Sequence, residues 1–480
     1  MIIAAMRNAH SGYCHVLRCG RRKNVMGKLK FTFALWTAKA ARTALRVLGR
    51  NATYLPGAIA LKIYPSFLER IGKPPQVIVV TGTNGKTTVA NLLSIALKKH
   101  GQTVLDNRLG SNTAAGIACA LLSKASLTGR ARHDVAVLEV DERSSARILP
   151  FIRPALLIIT NIFRDSIMRN AHPEFIAGII SDSVPQKTKL LINADDLISC
   201  GIAPENPRAY FGLERMETDV IECINLINDF QVCPLCQNEL EYEYRRYHHI
   251  GRANCQNCGF GSPVYDYAGV PDTRRGTITI KDQNDSRELK LLSDSIFNIY
   301  NILTVFAALS EMGLKPDEAI AAMDGVKIPD SRYNETKING THIIMQMAKD
   351  RNALACSRAF DYIAAKPGKK ELILMMNNIS DSKAWSENTC WLYDCDFELL
   401  HNDEITRIVS TGPRALDYCL RLQFAGIPEE KLRFAEQEIN APKELELSPG
   451  VSVYILYGTD AIDLAYRVRD AVKERAKREN

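Results

Sequence analysis

The sequence predicts an α/β protein: a doubly wound, mainly parallel sheet built around a phosphate-holding turn, followed by a smaller α/β unit. Two observations carry this. Residues 77–101, "VIVVTGTNGKTTVANLLSIALKKHG", run from an apolar strand through a glycine-bearing turn into a helix-periodic stretch. Residues 134–142, "DVAVLEVDE", and 155–165, "ALLIITNIFRD", add two apolar strands that each end in polar or acidic residues. Strands of such a sheet end in this way at the carboxyl edge, where ligands bind.

At 480 residues the chain exceeds a single core, and about three domains are expected. With 46% apolar and 24% charged residues it has a soluble globular composition, and no apolar run approaches the roughly 18 to 20 residues of a membrane span. The start lacks the ordered regions of a secretory signal. Residues 1–27 read as a disordered extension or a misassigned start, with Met26 as the alternative initiator. Most of the thirteen cysteines lie inside apolar patterns, which indicates a reducing compartment. The net charge of +7 makes no case for nucleic acid. Residues 28–50 combine helical apolar spacing with Lys28, Lys30, Lys39, Arg42, Arg46 and Arg50. Such a helix can lie on an anionic membrane. Ordinary amphipathic packing instead favours docking on the protein's own core with a solvated basic face.

The first strand, 77–80, is apolar throughout and so is expected to be buried on both faces. The helix from Lys86 has basic residues in its last turn and Gly101 as its stop. Between them Thr81, Gly82, Thr83, Asn84 and Gly85 bring backbone N–H groups and the positive helix end to one point, which suits a phosphate. Lys86 would reach the outer phosphates, and Thr87 or Thr88 would ligate magnesium. The full Walker pattern needs a glycine where Val80 stands, so "GxxGKT" alone is matched and a structural turn remains the alternative. Glu139, Asp141 and Asn161 are expected to face the same crevice, where a carboxylate can hold a phosphate-bridging metal. Helix capping is the competing role, more so for Asp141.

Cys233 and Cys236 in "CPLC" are followed, after eighteen intervening residues, by Cys255 and Cys258 in "CQNC". Two such pairs in small hairpins offer four thiolates at zinc-ribbon spacing. A four-cysteine site is closed, so its zinc would be structural, and a redox pair would not explain the duplication. The nearby "YRRYHH", 244–249, reads as a solvated face.

These residues together resemble the Mur ligase superfamily, and within it the MurT family. "TGTNGKT" (81–87), "NRLGSNTAAG" (107–116), "LEVDE" (138–142), "TNIFRD" (160–165), "LLINADD" (190–196), "FNIYN" (297–301) and "TGPRALDYCLRL" (411–422) carry the resemblance. It implies a Mur ligase-like central ATP-binding domain over 28–330, with the ribbon inserted at about 228–270, and a MurT-type ligase domain over 331–480. It also implies ATP-dependent amidation of the D-glutamate α-carboxylate of lipid II through an acyl phosphate. The ammonia would come from a GatD-type glutaminase subunit, in the cytoplasm and peripheral to the inner face of the plasma membrane. Lys86, with magnesium on Thr87 and Glu139, would neutralise charge on the γ-phosphate. Asn298 and Asn301 resemble the family's nucleotide-side asparagines, with backbone capping as the alternative, and Arg332 stands at the family's Gly-Arg position.

There are departures. Ser331 and Ser295 replace family glycines, and Asp350, Arg351 and Asn352 replace an Asn-Pro-Ala. Where the family carries an acid thought to complete the partner's Cys-His triad, this chain has Asn388. Either the triad tolerates Asn388, or Asp381 takes the place, or the chain is a diverged paralogue with another nitrogen donor. Asp394 and Asp396 match family acids, with capping of a following helix as the alternative. In the last domain "ELILMMN" and "VSVYILYG" read as strands, and "DEITRIVS" and the final "TDAIDLAYRVRDAVKERAKR" as helices. Two other functions remain open: a ligase joining an amino acid to a carboxylate, as folylpolyglutamate or cyanophycin synthetases do, and a non-catalytic nucleotide-binding scaffold.

Overall fold

A computed structural model describes residues 24–108, 111–164, 172–282, 285–326, 333–348, 352–376, 389–458 and 461–479. The chain divides into two compact units, residues 1–73 with 109–132, and 74–108 with 133–480.

The first unit is helical. In the helix Asn24–Val47, Phe31, Ala34, Leu35 and Ala38 are buried, spaced i, i+3, i+4 and i+7 along one face. Phe31 stacks on Phe67 at 5.3 Å. The helices Leu55–Ile63 and Ala114–Lys124 meet backbone to backbone at Gly57, where a Cβ would lie 1.8 Å from Ala115 O. Lys39 Nζ donates to Ala125 O at 2.7 Å, beyond the C-terminus of Ala114–Lys124.

In the second unit the strands are β1 (Gln76–Thr81), β2 (Val104–Asp106), β3 (Val135–Glu139), β4 (Leu156–Ile159), β5 (Lys189–Asn193), β6 (Arg208–Leu213), β7 (Glu241–Tyr247), β8 (Ile250–Asn254), β9 (Tyr267–Asp272), β10 (Thr277–Lys281), β11 (Ser286–Lys290), β12 (Tyr333–Ile338), β13 (Thr341–Met347), β14 (Lys370–Met375), β15 (Ile405–Thr411), β16 (Leu432–Ala435) and β17 (Ser452–Tyr457). The large sheet has the order β11-β10-β9-β6-β5-β4-β1-β3-β2. From β2 to β9 its neighbours are parallel, and β10 and β11 add an antiparallel edge. Val77 to Val80 and Leu156 to Ile159 are all buried, as strands covered on both faces must be. The helices Lys86–Lys99 and Ile296–Glu311 pack against this sheet in one core.

The second sheet has the order β12-β13-β17-β14-β15-β16, parallel from β13 to β16. Alternate residues of its strands enter two separate cores: Leu372, Leu374 and Ile408 one, Ile373, Met375 and Val409 the other. "DEITRIVS" is therefore the strand β15 and not a helix. Its Ile405, Thr406, Ile408, Val409 and Thr411 are β-branched, and it pairs on both sides. Asp396 likewise precedes only a short 3-10 turn, Phe397–Leu400, and makes no capping bond there.

The inserted segment carries the hairpin β7–β8 and two knuckles of one design. In "CPLCQN", Gln237 N–H donates to Cys233 O at 2.9 Å and Cys233 N–H to Asn238 O at 2.7 Å. In "CQNCGF", Gly259 N–H donates to Cys255 O and Cys255 N–H to Phe260 O at the same two distances. The residue after each second cysteine is left-handed, Gln237 at φ 65° and Gly259 at φ 74°. The run 244–249 is not a solvated face. The Arg246 side chain is 3% exposed and pairs with Asp195 and Asp219, both at 2.9 Å, while Tyr247, His248 and His249 are buried. Tyr300 and Tyr265 also donate to Asp195, so the hairpin is anchored to the carboxyl end of β5 and to the helix Ile296–Glu311.

Candidate active site

Thr81 Oγ1 donates to Val140 O at 3.0 Å, tying the end of β1 to the residue after β3. Gly82 and Gly85 follow with φ of 122° and 87°. Both are crowded: a Cβ at Gly82 would lie 2.4 Å from Thr160 Oγ1, and one at Gly85 2.5 Å from Asn301 Oδ1. Between them Thr83 N–H donates to Asn161 O at 2.7 Å and Asn84 N–H to Asn161 Oδ1 at 3.1 Å. Thr160 Oγ1 donates to Asn84 O at 2.6 Å and Phe163 N–H to Thr83 Oγ1 at 2.9 Å. The segment "TNIF" after β4 thus moulds the turn. Asn161 faces the turn as expected, as a template for its backbone.

The helix Lys86–Lys99 opens without a side-chain cap among the described residues, and Val89 N–H to Gly85 O closes its first turn at 2.9 Å. The amides of residues 86–88 therefore open outward at a positive helix end. Thr87 and Thr88, half-buried, stand in that first turn. Asn84 Nδ2 is buried with no hydrogen-bond partner among the described residues. Such a donor costs about 1–3 kcal/mol unless something accepts from it. An anion at the helix end would accept from both the amides and Asn84, so the residues present fit a phosphate.

Lys86 is folded back over its own turn. Its Nζ donates to Gly82 O and, at 3.3 Å, to Thr83 O, and it pairs with Glu142 Oε1 at 2.7 Å. Burial works against the ammonium. Glu142, then Glu139 and Asp141, outweigh it and hold Lys86 above its ordinary value. Glu142, buried and paired, was legible only as the last letter of "LEVDE", and its proximity to Lys86 comes from the turn after β3. Asp141 takes the capping role, its Oδ1 accepting from Ser144 N–H at 3.3 Å. Glu139 ends β3, where Asn107 clasps its backbone through Nδ2 to Glu139 O (2.9 Å) and Oδ1 from Glu139 N–H (2.8 Å).

Asn301 is buried beside Gly85, and its Nδ2 donates to Asn298 Oδ1 at 3.4 Å. Asn352 is a further residue that sequence reasoning did not place at the turn. Its Oδ1 caps the helix Ala353–Ala365 through Ala355 N–H at 2.8 Å, and its Nδ2 donates to Asn84 Oδ1 at 3.5 Å.

Residues 80–258 match the model of the Mur ligase middle domain, and residues 350–461 that of the MurT ligase C-terminal domain. Over 397 residues the chain is 30% identical to "Lipid II isoglutaminyl synthase (glutamine-hydrolyzing) subunit MurT" of Staphylococcus aureus (strain COL), which covers 82% of this chain and 88% of that protein. The chain belongs to the MurT family. The protein of the same name from Streptococcus pneumoniae (strain ATCC BAA-255 / R6) is 31% identical, over 89% of this chain and 94% of its own. Among solved structures, a pseudomurein peptide ligase type C from Methanothermus fervidus matches with a TM-score of 0.60 and 21% identity, over 85% of this chain and 80% of that one. MurF ligase from Thermotoga maritima, in complex with ADP, matches at 0.56 and 15%, over 88% and 85%. These two share the fold. As a MurT-family member the chain is a ligase that forms carbon–nitrogen bonds.

In this MurT-family chain Cys233, Cys236, Cys255 and Cys258 place their sulfurs within 4.8 Å of one another, and none of the four is in a disulfide. Hydrogen bonds from Asn257 first, then the Asn238 backbone, pull the Cys236 thiol down to about 6. Four soft donors at that spacing suit a tetrahedral zinc. Arg332, Asp381 and Asn388 lie outside the described residues. Asp394 is half-buried beside Arg164 and Asp229, and burial raises its carboxyl above the ordinary value. Among the described residues no helix is long and apolar enough to cross a membrane.

Proposed function

We propose that this chain is the ATP- and magnesium-dependent subunit that activates the D-glutamate α-carboxylate of lipid II for amidation in peptidoglycan biosynthesis. The ammonia comes from a GatD-type glutaminase subunit, and the four cysteines hold a structural zinc. The carrying observation is the uncapped helix end at residues 86–88, with the orphaned Asn84 amide and the Lys86–Glu142 pair beside it. Bound ATP supplies the phosphoryl group that turns a poor carboxylate leaving group into a good one. The chain's own part is positional and electrostatic. The backbone of residues 82–88 and Asn84 Nδ2 receive phosphate oxygens. Glu142 keeps Lys86 charged in a buried place, Thr87 and Glu139 offer oxygens to magnesium, and Asn298, Asn301 and Arg332 serve the nucleotide side. Asn388 or Asp381 faces the partner's triad. The complex works at the cytoplasmic face of the plasma membrane, where a lipid-linked acceptor lies.

The test is amidation of lipid II by the chain with its glutaminase partner, ATP, magnesium and glutamine, read by mass spectrometry. Amidated lipid II is expected, free ammonium should replace glutamine and partner together, and Lys86→Ala should abolish the product. Retained amidation by Lys86→Ala overturns the reading. Coupling of a free amino acid in place of ammonia would return the chain to the amino-acid ligase alternative.

A further inference from the structure

The helix Asn24–Val47 has two apolar faces, and its own unit covers only one. At 3.6 residues per turn, the buried Phe31, Ala34, Leu35 and Ala38 share one side. On the opposite side run Leu29, Phe33, Trp36 and Val47, which are 66%, 64%, 57% and 82% exposed. Trp36 Nε1 donates to Leu127 O at 2.9 Å, and Leu127, itself 67% exposed, extends the patch. The indole therefore presents an apolar ring with its polar atom already satisfied. A solvated basic face does not explain this stripe, and exposed apolar surface of such continuity marks an interaction site.

Charge identifies the occupant. Residues 1–73 and 109–132 contain 17 lysines and arginines and one acid, Glu69, a net +16; the whole chain carries +7, so the remainder carries −9. The cations crowd one another. Lys39 is held below its ordinary value by burial and by Arg42 and Arg132, and Arg42 by burial and Arg46. Lys28, Lys30 and Arg46 are exposed beside the stripe. An apolar stripe with an aromatic residue, flanked by lysine and arginine, suits the interface of an anionic bilayer.

We propose that the helix Asn24–Val47 docks this protein on an anionic phospholipid surface, with Leu29, Phe33 and Trp36 seated among the acyl chains and Lys28, Lys30 and Arg46 at the headgroups. This deepens the reading above and rests on it only for the membrane-borne acceptor; the docking itself is independent of catalysis.

The test is co-sedimentation of the full chain with vesicles of phosphatidylcholine, with or without phosphatidylglycerol, at low and high salt. Binding is expected only with phosphatidylglycerol and should weaken in salt. Leu29→Ser/Phe33→Ser and Lys28→Glu/Lys30→Glu/Arg46→Glu should each weaken it by about tenfold or more. Because all five side chains are exposed, both variants should melt as the parent does and amidate detergent-dispersed lipid II at the parent rate. Absence of binding, equal binding to both vesicles, or unchanged binding by the variants overturns the proposal. So does binding by residues 24–480 alone and not by the full chain, which would show that the first 23 residues cover the stripe, or conversion of a dimer to a monomer by Leu29→Ser/Phe33→Ser without lipid binding. Loss of amidation in detergent with vesicle binding intact would strike the proposed function and leave the docking in place.

Discussion

His248 occupies the β7–β8 turn at φ 47°, with Nδ1 2.8 Å from Ile227 O and Nε2 without a hydrogen-bond partner among the described residues. Burial, with the Arg358 charge second, pushes its imidazole from 6.5 down to about 3. Below pH 6.5 the unfolded chain takes up a proton that the folded chain refuses, so stability falls with pH through that window by up to about 1.4 kcal/mol per unit. Calorimetry should find this contribution absent above pH 6.5 and growing toward pH 3. His248→Asn, whose amide can replace Nδ1–H and which tolerates the left-handed backbone, should flatten the slope. At the turn after β1 the two acids should separate by readout. Glu142→Gln removes the negative charge beside buried Lys86 and should cut amidation by about a hundredfold. Asp141→Asn, an N-cap variant, should change turnover little, and its effect on unfolding should stay under about 1 kcal/mol. Equal kinetic losses would show that the capping geometry misassigns Asp141.

The knuckles show how an element is set by a few positions. Gly259 is left-handed with open space around it, so Gly259→Ala should cost only the backbone penalty, about 1–2 kcal/mol. The fourfold thiol cluster predicts one zinc per chain by metal analysis, and a chelator should remove it and lower the melting temperature while leaving the two sheets folded. Gly57 is the opposite kind of glycine: its φ is ordinary, but a side chain would meet backbone of the helix Ala114–Lys124 at 1.8 Å. Gly57→Ala should destabilise the helical unit by about 3 kcal/mol in chemical unfolding, because neither backbone can yield locally.

At the scale of the molecule, buried polar ties join segments far apart in sequence. Asp396 accepts from Asn225 Nδ2 at 2.8 Å and Leu226 N–H at 2.7 Å, and its own N–H donates to Ser357 Oγ at 2.9 Å. The approach to the cysteine-bearing segment is thereby fixed to the C-terminal sheet region. Asp396→Ala leaves two donors unpaired and should cost about 2–4 kcal/mol. Hydrogen exchange should accelerate at residues 223–228 before it does in either sheet. Asn352 to Asn84, and Arg358 over the Tyr247 ring at 5.1 Å, run the same way, linking the helix Ala353–Ala365 to the turn and to the hairpin.

Local pattern made the strand–turn–helix of 76–99, the parallel strands after it and the paired cysteines legible, because periodicity, left-handed glycines and ligand spacing are encoded within a few residues. Local pattern also misled where it was weak. "DEITRIVS" is charged enough to read as a helix, yet its β-branched residues pair in the middle of a sheet, and "YRRYHH" reads as solvated until Asp195 and Asp219 arrive from elsewhere to pair with Arg246. The class of fold, the strand–turn–helix around Gly82 and Gly85 and the two cysteine pairs can be read from the letters alone. Chain closure was needed to show that Glu142 holds Lys86, that Asn161 and Thr160 template the turn, and that one helix keeps a second apolar face exposed. Each depends on which distant residue fills the remaining side of a group, and burial and hydrogen-bond satisfaction are settled only when the chain closes on itself.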